Sequence, residues 1–350
     1  MRQTPYGNAM RWLIYGANGY TGELVARLAA TRGERPVLAG RRAEPVAVLA
    51  ADLGLDHVVV DLGDEAALRA ALDGVDAVAH CAGPFSATAE PMVRACLATG
   101  THYLDVTGEV AVFESIYAQD AAAREAGVVL LPGAGFDVVP TDCLAAMLAA
   151  ELPDATSLEI AFRVPGGMSP GTWKTSLEGA AAGGLRRVEG KLVESPPGVP
   201  SREVPFPSRP RTVGGIRWGD LASGYRSTGI PTITTYTVLP GRPGAAKVLS
   251  GPLKRLMRLG PVRKLAGRRT TGPSAETRAS TTCEVWVEVR NAAGEARSAT
   301  LTGPNAYDLT ADAVLRAVRR LPEAAPGAHT PSSALGPGFV EELDGVAVQR

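Results

Sequence analysis

At 350 residues the chain can hold two ordinary domains, and 45% hydrophobic with 21% charged residues is normal for a globular protein. Its 36 basic residues balance 36 acidic ones, so neither a nucleic acid nor an anionic membrane is expected as partner. Cys81, Cys96, Cys143 and Cys283 are far apart and form no CxxC pair, which argues against a disulfide framework or a zinc cluster and for a reducing cytoplasm. The polar stretch Met1–Met10 lacks the core of a signal peptide, and no apolar run reaches the roughly 18 residues of a membrane span.

From Arg11 to Leu131, short apolar runs alternate with amphipathic ones. Trp12–Tyr15 reads as a buried strand, Glu23–Thr31 as a helix and Pro36–Ala39 as a second strand, with an Ala/Leu helix running to Leu53. A strand at His57–Val60, a helix at Glu65–Leu72 and a strand at Ala77–His80 follow. The series closes with a helix at Ala89–Ala98, a strand at His102–Val106, one helix over about 111–125 and a strand at Val128–Leu131. This alternation predicts an α/β fold, a doubly wound parallel sheet of Rossmann type covered on both faces.

Beyond Glu151 the period changes to two. Leu158–Val164, Thr232–Val238 and Cys283–Val289 alternate apolar and polar residues, predicting a second α+β domain on a mainly antiparallel sheet. Helices are expected near Thr172–Ala182, Lys247–Leu259 and Thr310–Leu321, the last packing back on the first domain. The Pro-rich Ser195–Pro210 and the Arg-rich Arg263–Glu276 read as surface loops. The expected division is a dinucleotide-binding domain at 1–150, completed by C-terminal helices at 305–350, and a substrate or dimerisation domain at 151–304.

Gly16-Ala17-Asn18-Gly19-Tyr20-Thr21-Gly22 lies between the first strand and the first helix. At this place a GxxGxxG run permits a tight turn, a close approach of backbone to pyrophosphate, and close packing of helix on strand. The helix N-terminus then holds the phosphate. Cofactor choice is read at the end of the second strand, where an NAD-binding domain usually carries an acidic residue. Here stand Arg41 and Arg42, suited to a 2′-phosphate and therefore to NADP(H), or else a solvated pair. Asp61 is placed beside the adenine, and Cys81-Ala82-Gly83-Pro84, at the switch point of the sheet, beside the ribose and nicotinamide.

Other constellations fail. No tyrosine has Lys four residues on, which removes the Tyr-x-x-x-Lys mechanism of short-chain dehydrogenases. Gly167-Met168-Ser169-Pro170-Gly171 has the spacing of a nucleophile elbow, but Pro170 lacks the N–H that an oxyanion needs, so it reads as a turn. His57, His80, His102 and His329 are scattered and no metal site is expected. Asp137 and Asp142 follow the sixth strand at the ligand-binding end, as members of the site or as turn and helix-start aspartates. Arg186 and Arg187 are a candidate pair for one carboxylate.

Several runs resemble the saccharopine dehydrogenase-like oxidoreductases. These are Cys81–Phe85, Glu90-Pro91, Ala95-Cys96, Gly100 through Glu109, Gly135–Asp142 and Gly171–Ser176. The resemblance implies an NADP-binding Rossmann domain with a substrate domain inserted before the final helices, and the group includes bacterial trans-acting enoyl reductases acting on polyketide-type lipids. The reading is an NADPH-dependent reductase of a small or acyl-type substrate, most directly an enoyl group. An imine or ketone reductase and a non-catalytic NADPH-binding sensor are the alternatives, and a homodimer stays open. Candidate catalytic groups are Lys174, Thr172, Tyr103, Tyr225 and Asp137.

Overall fold

The computed structural model describes residues 10–173, 183–238 and 271–350. Its first half runs β1 (Trp12–Tyr15), α1 (Tyr20–Thr31), β2 (Val37–Gly40), α2 (Ala43–Leu53), β3 (His57–Val59), α3 (Glu65–Leu72) and β4 (Ala77–His80). It continues with α4 (Phe85–Thr99), β5 (His102–Asp105), α5 (Val110–Tyr117), α6 (Asp120–Ala126), β6 (Val129–Leu131) and α7 (Val139–Glu151). All six strands pair in parallel in the order β6-β5-β4-β1-β2-β3. β1 and β4 are buried along their whole length, as central strands covered on both faces must be.

The second half contains β7 (Ala155–Arg163), β8 (Gly184–Val188), β9 (Lys191–Ser195), β10 (Ser201–Pro205) and β11 (Pro210–Ile216). Then come α8 (Asp220–Thr228), β12 (Thr232–Thr237), α9 (Ala275–Ala279), β13 (Cys283–Asn291), β14 (Ala296–Gly303) and α10 (Ala306–Arg320). The chain ends with β15 (Gly327–Ala328), α11 (Pro331–Leu335) and β16 (Ala347–Gln349). Among the described residues the second sheet has nine strands, with β12 and β7 parallel and its other pairs antiparallel. β15 adds a seventh parallel strand beside β6, whereas β16 joins the second sheet. α10 packs along α1, and one continuous apolar core runs from β1 through α7 to β13 and α10.

Some boundaries differ from the sequence reading. The single helix expected over 111–125 is two, because α6 restarts at Asp120, whose carboxylate accepts the Ala328 N–H at 2.8 Å and ties the start of α6 to β15. Ser195–Pro210 is not a plain loop. Ser201–Pro205 pairs with Pro210–Ile216, and the prolines fall at the ends of an edge hairpin, where a missing N–H costs nothing. The β8–β9 hairpin was not foreseen, since its strands are short and half-exposed. Of the expected helix at 172–182 only residues 172–173 are described, and they are helical. That at 247–259, and the Arg-rich stretch before 271, lie outside the described residues, as does Lys174.

Candidate functional site

The loop after β1 is shaped by contacts only glycine allows. Gly16 has φ +81°, and a Cβ on it would meet the Ala82 Cβ at 2.8 Å, so the loops after β1 and β4 touch at the switch point. A Cβ on Gly22 would lie 2.3 Å from the Gly16 carbonyl oxygen, too close for any side chain. Gly19 differs: its Cβ would meet only the Gly16 oxygen, at 3.1 Å. The Gly16 and Ala17 N–H groups both donate to the Ala39 carbonyl, and Gly19 N–H donates to Gly16. Gly19 caps α1 without a side-chain bond, leaving the Tyr20, Thr21 and Gly22 N–H groups without helical acceptors. Free donors, the positive end of the helix and room above Gly19 fit a pyrophosphate. Asn18 stands between this loop and β2, its Oδ1 3.0 Å from where a Gly40 Cβ would be.

At the end of β2, Arg41 and Arg42 are exposed, Arg42 as the N-cap of α2. Beneath them the Tyr15 hydroxyl donates to the Val60 carbonyl at 3.0 Å. Burial and then the Asp61 charge push this phenol up to about 12, with Arg41 opposing, so Arg41 and Asp61 both border Tyr15. Asp61 accepts the Gly63 N–H at 2.8 Å, which fixes the turn after β3. Two exposed guanidiniums here leave donors for a 2′-phosphate. Arg41→Ala with Arg42→Ala is expected to weaken NADPH binding at least about tenfold, because each charge-assisted contact is worth roughly 1.5–3 kcal/mol. NADH affinity should hold, and titration calorimetry of both cofactors would decide; equal losses for both would remove the 2′-phosphate role.

The loop after β4 is held from below. Buried His80 lies 3.1 Å through Nε2 from the Thr88 hydroxyl, which donates to the Ala82 carbonyl at 2.7 Å. Burial lowers this imidazole to about 3, so it stays neutral. Glu109 accepts the N–H groups of Phe85 and Ser86, at 3.0 and 2.9 Å, and caps α4 just past Gly83 and Pro84. The Cys81 thiol, pushed up to about 12 by burial and then by Asp105, stays protonated and is no nucleophile. Buried Asp105 takes the Thr107 and Gly133 N–H groups, both at 2.9 Å, joining the loops after β5 and β6.

Tyr103 is not a proton donor to a ligand. Its ring is fully buried beneath the sheet edge and its hydroxyl donates to Asp105 at 2.7 Å. Tyr225 is also misplaced: the Arg187 guanidinium covers its ring at 4.3 Å, and the next residue, Arg226, bonds the Ala328 carbonyl on β15. The Arg186–Arg187 pair fails too, since neighbouring strand residues face opposite sides. Arg187 is buried, bonding the Leu221 and Gly190 carbonyls and Glu114.

Asp137 follows β6 at the carboxyl end of the first sheet's strands. It is half-buried, and its Oδ2 would lie 3.0 Å from a Cβ on Gly108, so the missing side chain at Gly108 leaves the carboxyl room there. Trp218, from the loop before α8, donates its indole N–H to the Asp137 carbonyl at 2.8 Å and packs tilted against the Phe162 ring of β7, with centroids 4.9 Å apart. Burial raises the carboxyl to about 7. Thr172 also comes near the phosphate loop. Its Oγ1 accepts from Tyr307 at 3.0 Å, Tyr307 accepts the Ser169 N–H at 2.7 Å, and the Tyr307 ring meets Tyr20 edge-on at 4.9 Å. Tyr20 donates to the Pro273 carbonyl at 2.6 Å and accepts from Arg278. Ser169 caps the helical residues 170–173, as expected of a turn and not of a nucleophile.

Trp218, Tyr307, Arg278 and Glu109 went unassigned as site residues in the sequence reading. Each acts through a partner distant in the chain, and no local spacing marks it. A cleft of ≈ 660 Å³ lined by Arg11, Val37, His57 and Ala71 lies at the opposite, amino edge of the first sheet and holds none of the expected site residues. Among the described residues no cluster of His, Cys, Asp or Glu could hold a metal, and no helix is long and apolar enough to cross a membrane.

Residues 12–131 match the family described as the saccharopine dehydrogenase NADP binding domain. The chain is 32% identical over 182 residues to a protein of Mycobacterium tuberculosis named as a trans-acting enoyl reductase, covering 47% of this chain and 43% of that one. It is 26% identical over 205 residues to a saccharopine dehydrogenase-like oxidoreductase of Rattus norvegicus, covering 50% and 47%. The match therefore spans less than half the length of these curated relatives. The fold is shared with the saccharopine dehydrogenase (L-Glu forming) of Saccharomyces cerevisiae, with a TM-score of 0.65 at 14% identity over 98% of this chain and 100% of that one.

Proposed function

We propose that the protein, whose residues 12–131 match the saccharopine dehydrogenase NADP binding domain, is an NADPH-dependent oxidoreductase that reduces a carbon–carbon double bond of an enoyl or polyketide-type substrate. The observation that carries this reading is the Asp137 carboxyl, raised by burial to about 7 and set beside Gly108 after the sixth strand of the first sheet. The enoyl choice draws on the Mycobacterium tuberculosis relative's name.

Residues 16–22 would hold the pyrophosphate, Arg41 and Arg42 the 2′-phosphate, and the 81–84 loop the nicotinamide half. NADPH, when bound, supplies the hydride of this reduction. The chain supplies orientation and a proton. Asp137, protonated at neutral pH or below, would deliver its proton from the carboxyl facing Gly108 and be left as a carboxylate, to be reloaded from solvent. Trp218 walls the same crevice on the side of the second sheet. Thr172, whose oxygen accepts from Tyr307 and lies 3.0 Å from the Ser169 hydroxyl, would have to turn its proton from Ser169 to orient a substrate carbonyl.

The test mixes the purified protein and NADPH with panels of enoyl, imine and ketone substrates while reduced nicotinamide is followed by absorbance. Turnover of enoyl compounds is expected. Turnover confined to imines or ketones would move the reaction to that class. Tight NADPH binding with no turnover would leave a sensor.

A further inference from the structure

Gly108, Asp137 and Trp218 come from three separate segments, the loops after β5 and β6 and the loop before α8, and they meet at one point. The place of a Cβ on Gly108 lies 3.0 Å from Asp137 Oδ2 and 3.4 Å from Trp218 Cζ2, so the carboxyl and the indole edge flank the same bare backbone. All three residues are half-buried, whereas Thr107, Phe136, Val138 and Gly219 beside them are buried. The surface therefore opens where these three groups converge.

The indole is held in place by the protein itself. Its N–H donates to the Asp137 carbonyl at 2.8 Å, and its ring lies 4.9 Å from Phe162, which meets Phe136 edge-on at 6.1 Å. The chain on either side is pinned. The Ile216 carbonyl accepts from the Thr235 hydroxyl at 2.8 Å. A Cβ on Gly219 would fall 2.5 Å from Phe113 Cε2, so a residue without a side chain lets this segment press on α5. A ring fixed in advance gives up no rotamer freedom when a ligand packs on it, and so can discriminate by shape and charge.

The cations near this segment are committed elsewhere. Arg217, next to Trp218, has its guanidinium 4.0 Å from Glu194 of β9. Arg187 bonds Glu114 and two carbonyls, and Arg226 bonds Asp120 and the Ala328 carbonyl. Among the described residues Asp137 has no ion-pair partner, and burial is what raises its proton affinity. A ligand carboxylate set against the indole would be desolvated with no cation to meet it. An apolar chain in the same place would bury its surface on an aromatic face.

We propose that Trp218 is a specificity-determining residue, which gives this site its preference for an uncharged, apolar acyl chain over one that carries a carboxylate. The assignment rests on the reading of Asp137 as the proton donor and adds to it the charge class of the substrate.

Calorimetry on the full chain with NADP+ bound tests this without any turnover. The probes are the hexanoyl and adipoyl thioesters of N-acetylcysteamine, which differ in a terminal methyl or carboxylate. Wild type should bind the hexanoyl compound at least about tenfold more tightly. Trp218→Ala should lose most of this preference through weaker hexanoyl binding, and Trp218→Phe, which keeps a flat ring, should retain it. Trp218→Arg, which puts a cation in the same place, should turn the preference towards adipoyl, an effect that a merely structural role would not produce. Unchanged NADP+ affinity would show that each variant is folded. Equal affinities or no binding in wild type, or an undiminished hexanoyl preference in Trp218→Ala and Trp218→Arg, would overturn the proposal. With trans-2-hexenoyl thioester and NADPH, Trp218→Ala should act mainly through KM, raising it at least about tenfold. The two readings separate here. The expected preference without turnover of the enoyl compound would remove the reaction and leave the role of Trp218 standing, and turnover without the preference would do the reverse.

Discussion

Replacing Gly19 by valine should lower NADPH affinity by at least about a hundredfold, because two or more charge-assisted bonds worth roughly 1.5–3 kcal/mol each would be lost. The fold should survive. A Cβ at this position meets only the Gly16 carbonyl oxygen, at 3.1 Å, a contact that a slight shift relieves. The rest of the side chain would stand over the free N–H groups of Tyr20, Thr21 and Gly22, where a pyrophosphate must come within hydrogen-bond distance of backbone. Gly22→Val is the contrasting variant. Its Cβ would sit 2.3 Å from the Gly16 oxygen, so it should lose fold and binding together. Calorimetric titration with thermal unfolding separates the two, and unchanged NADPH affinity in a folded Gly19→Val protein would remove the phosphate-loop assignment.

Asp137→Asn should lower kcat by about 10²–10⁴, the usual worth of a positioned general acid, with little change in NADPH affinity. The wild-type rate should fall above pH about 7, where Asp137 gives up its proton, and the variant's small residual rate should lack this limb. Stability should not suffer from the substitution at alkaline pH. Folding raises this carboxyl from its ordinary value to about 7 by burial, so its contribution is complete at low pH and declines as pH rises from about 4 to 7. The asparagine variant should therefore melt no lower than wild type at pH about 8. A variant with unaltered kcat and an unaltered pH profile would leave Thr172 as the described residue to test next.

What could be read without coordinates was whatever a short run of chain settles by itself. The alternation of buried strands and amphipathic helices up to Leu131 is one such property, and it implied a doubly wound parallel sheet because parallel connections leave few topologies. The phosphate loop is another, since Gly16 and Gly22 are required by contacts within seven residues and with the neighbouring β4 loop, while Gly19 leaves room over the helix N-terminus. The Pro-rich hairpin at Ser201–Ile216 and the break between α5 and α6 were not legible, because distant pairing overrode local propensity in both.

The chemistry of individual side chains was decided only by tertiary structure. Tyr103 and Asp137 were equal candidates as residue types near the ends of neighbouring strands. Packing put Tyr103 beneath the sheet with its proton committed to Asp105, and put Asp137 beside Gly108 with a raised proton affinity. Trp218, Tyr307 and Arg278 acquired their places from partners 81, 138 and 258 residues away in the chain. A carboxyl's proton affinity and a hydroxyl's free valence depend on the charges, donors and solvent around them in three dimensions. Those surroundings are assembled by folding, and no spacing along the chain encodes them locally.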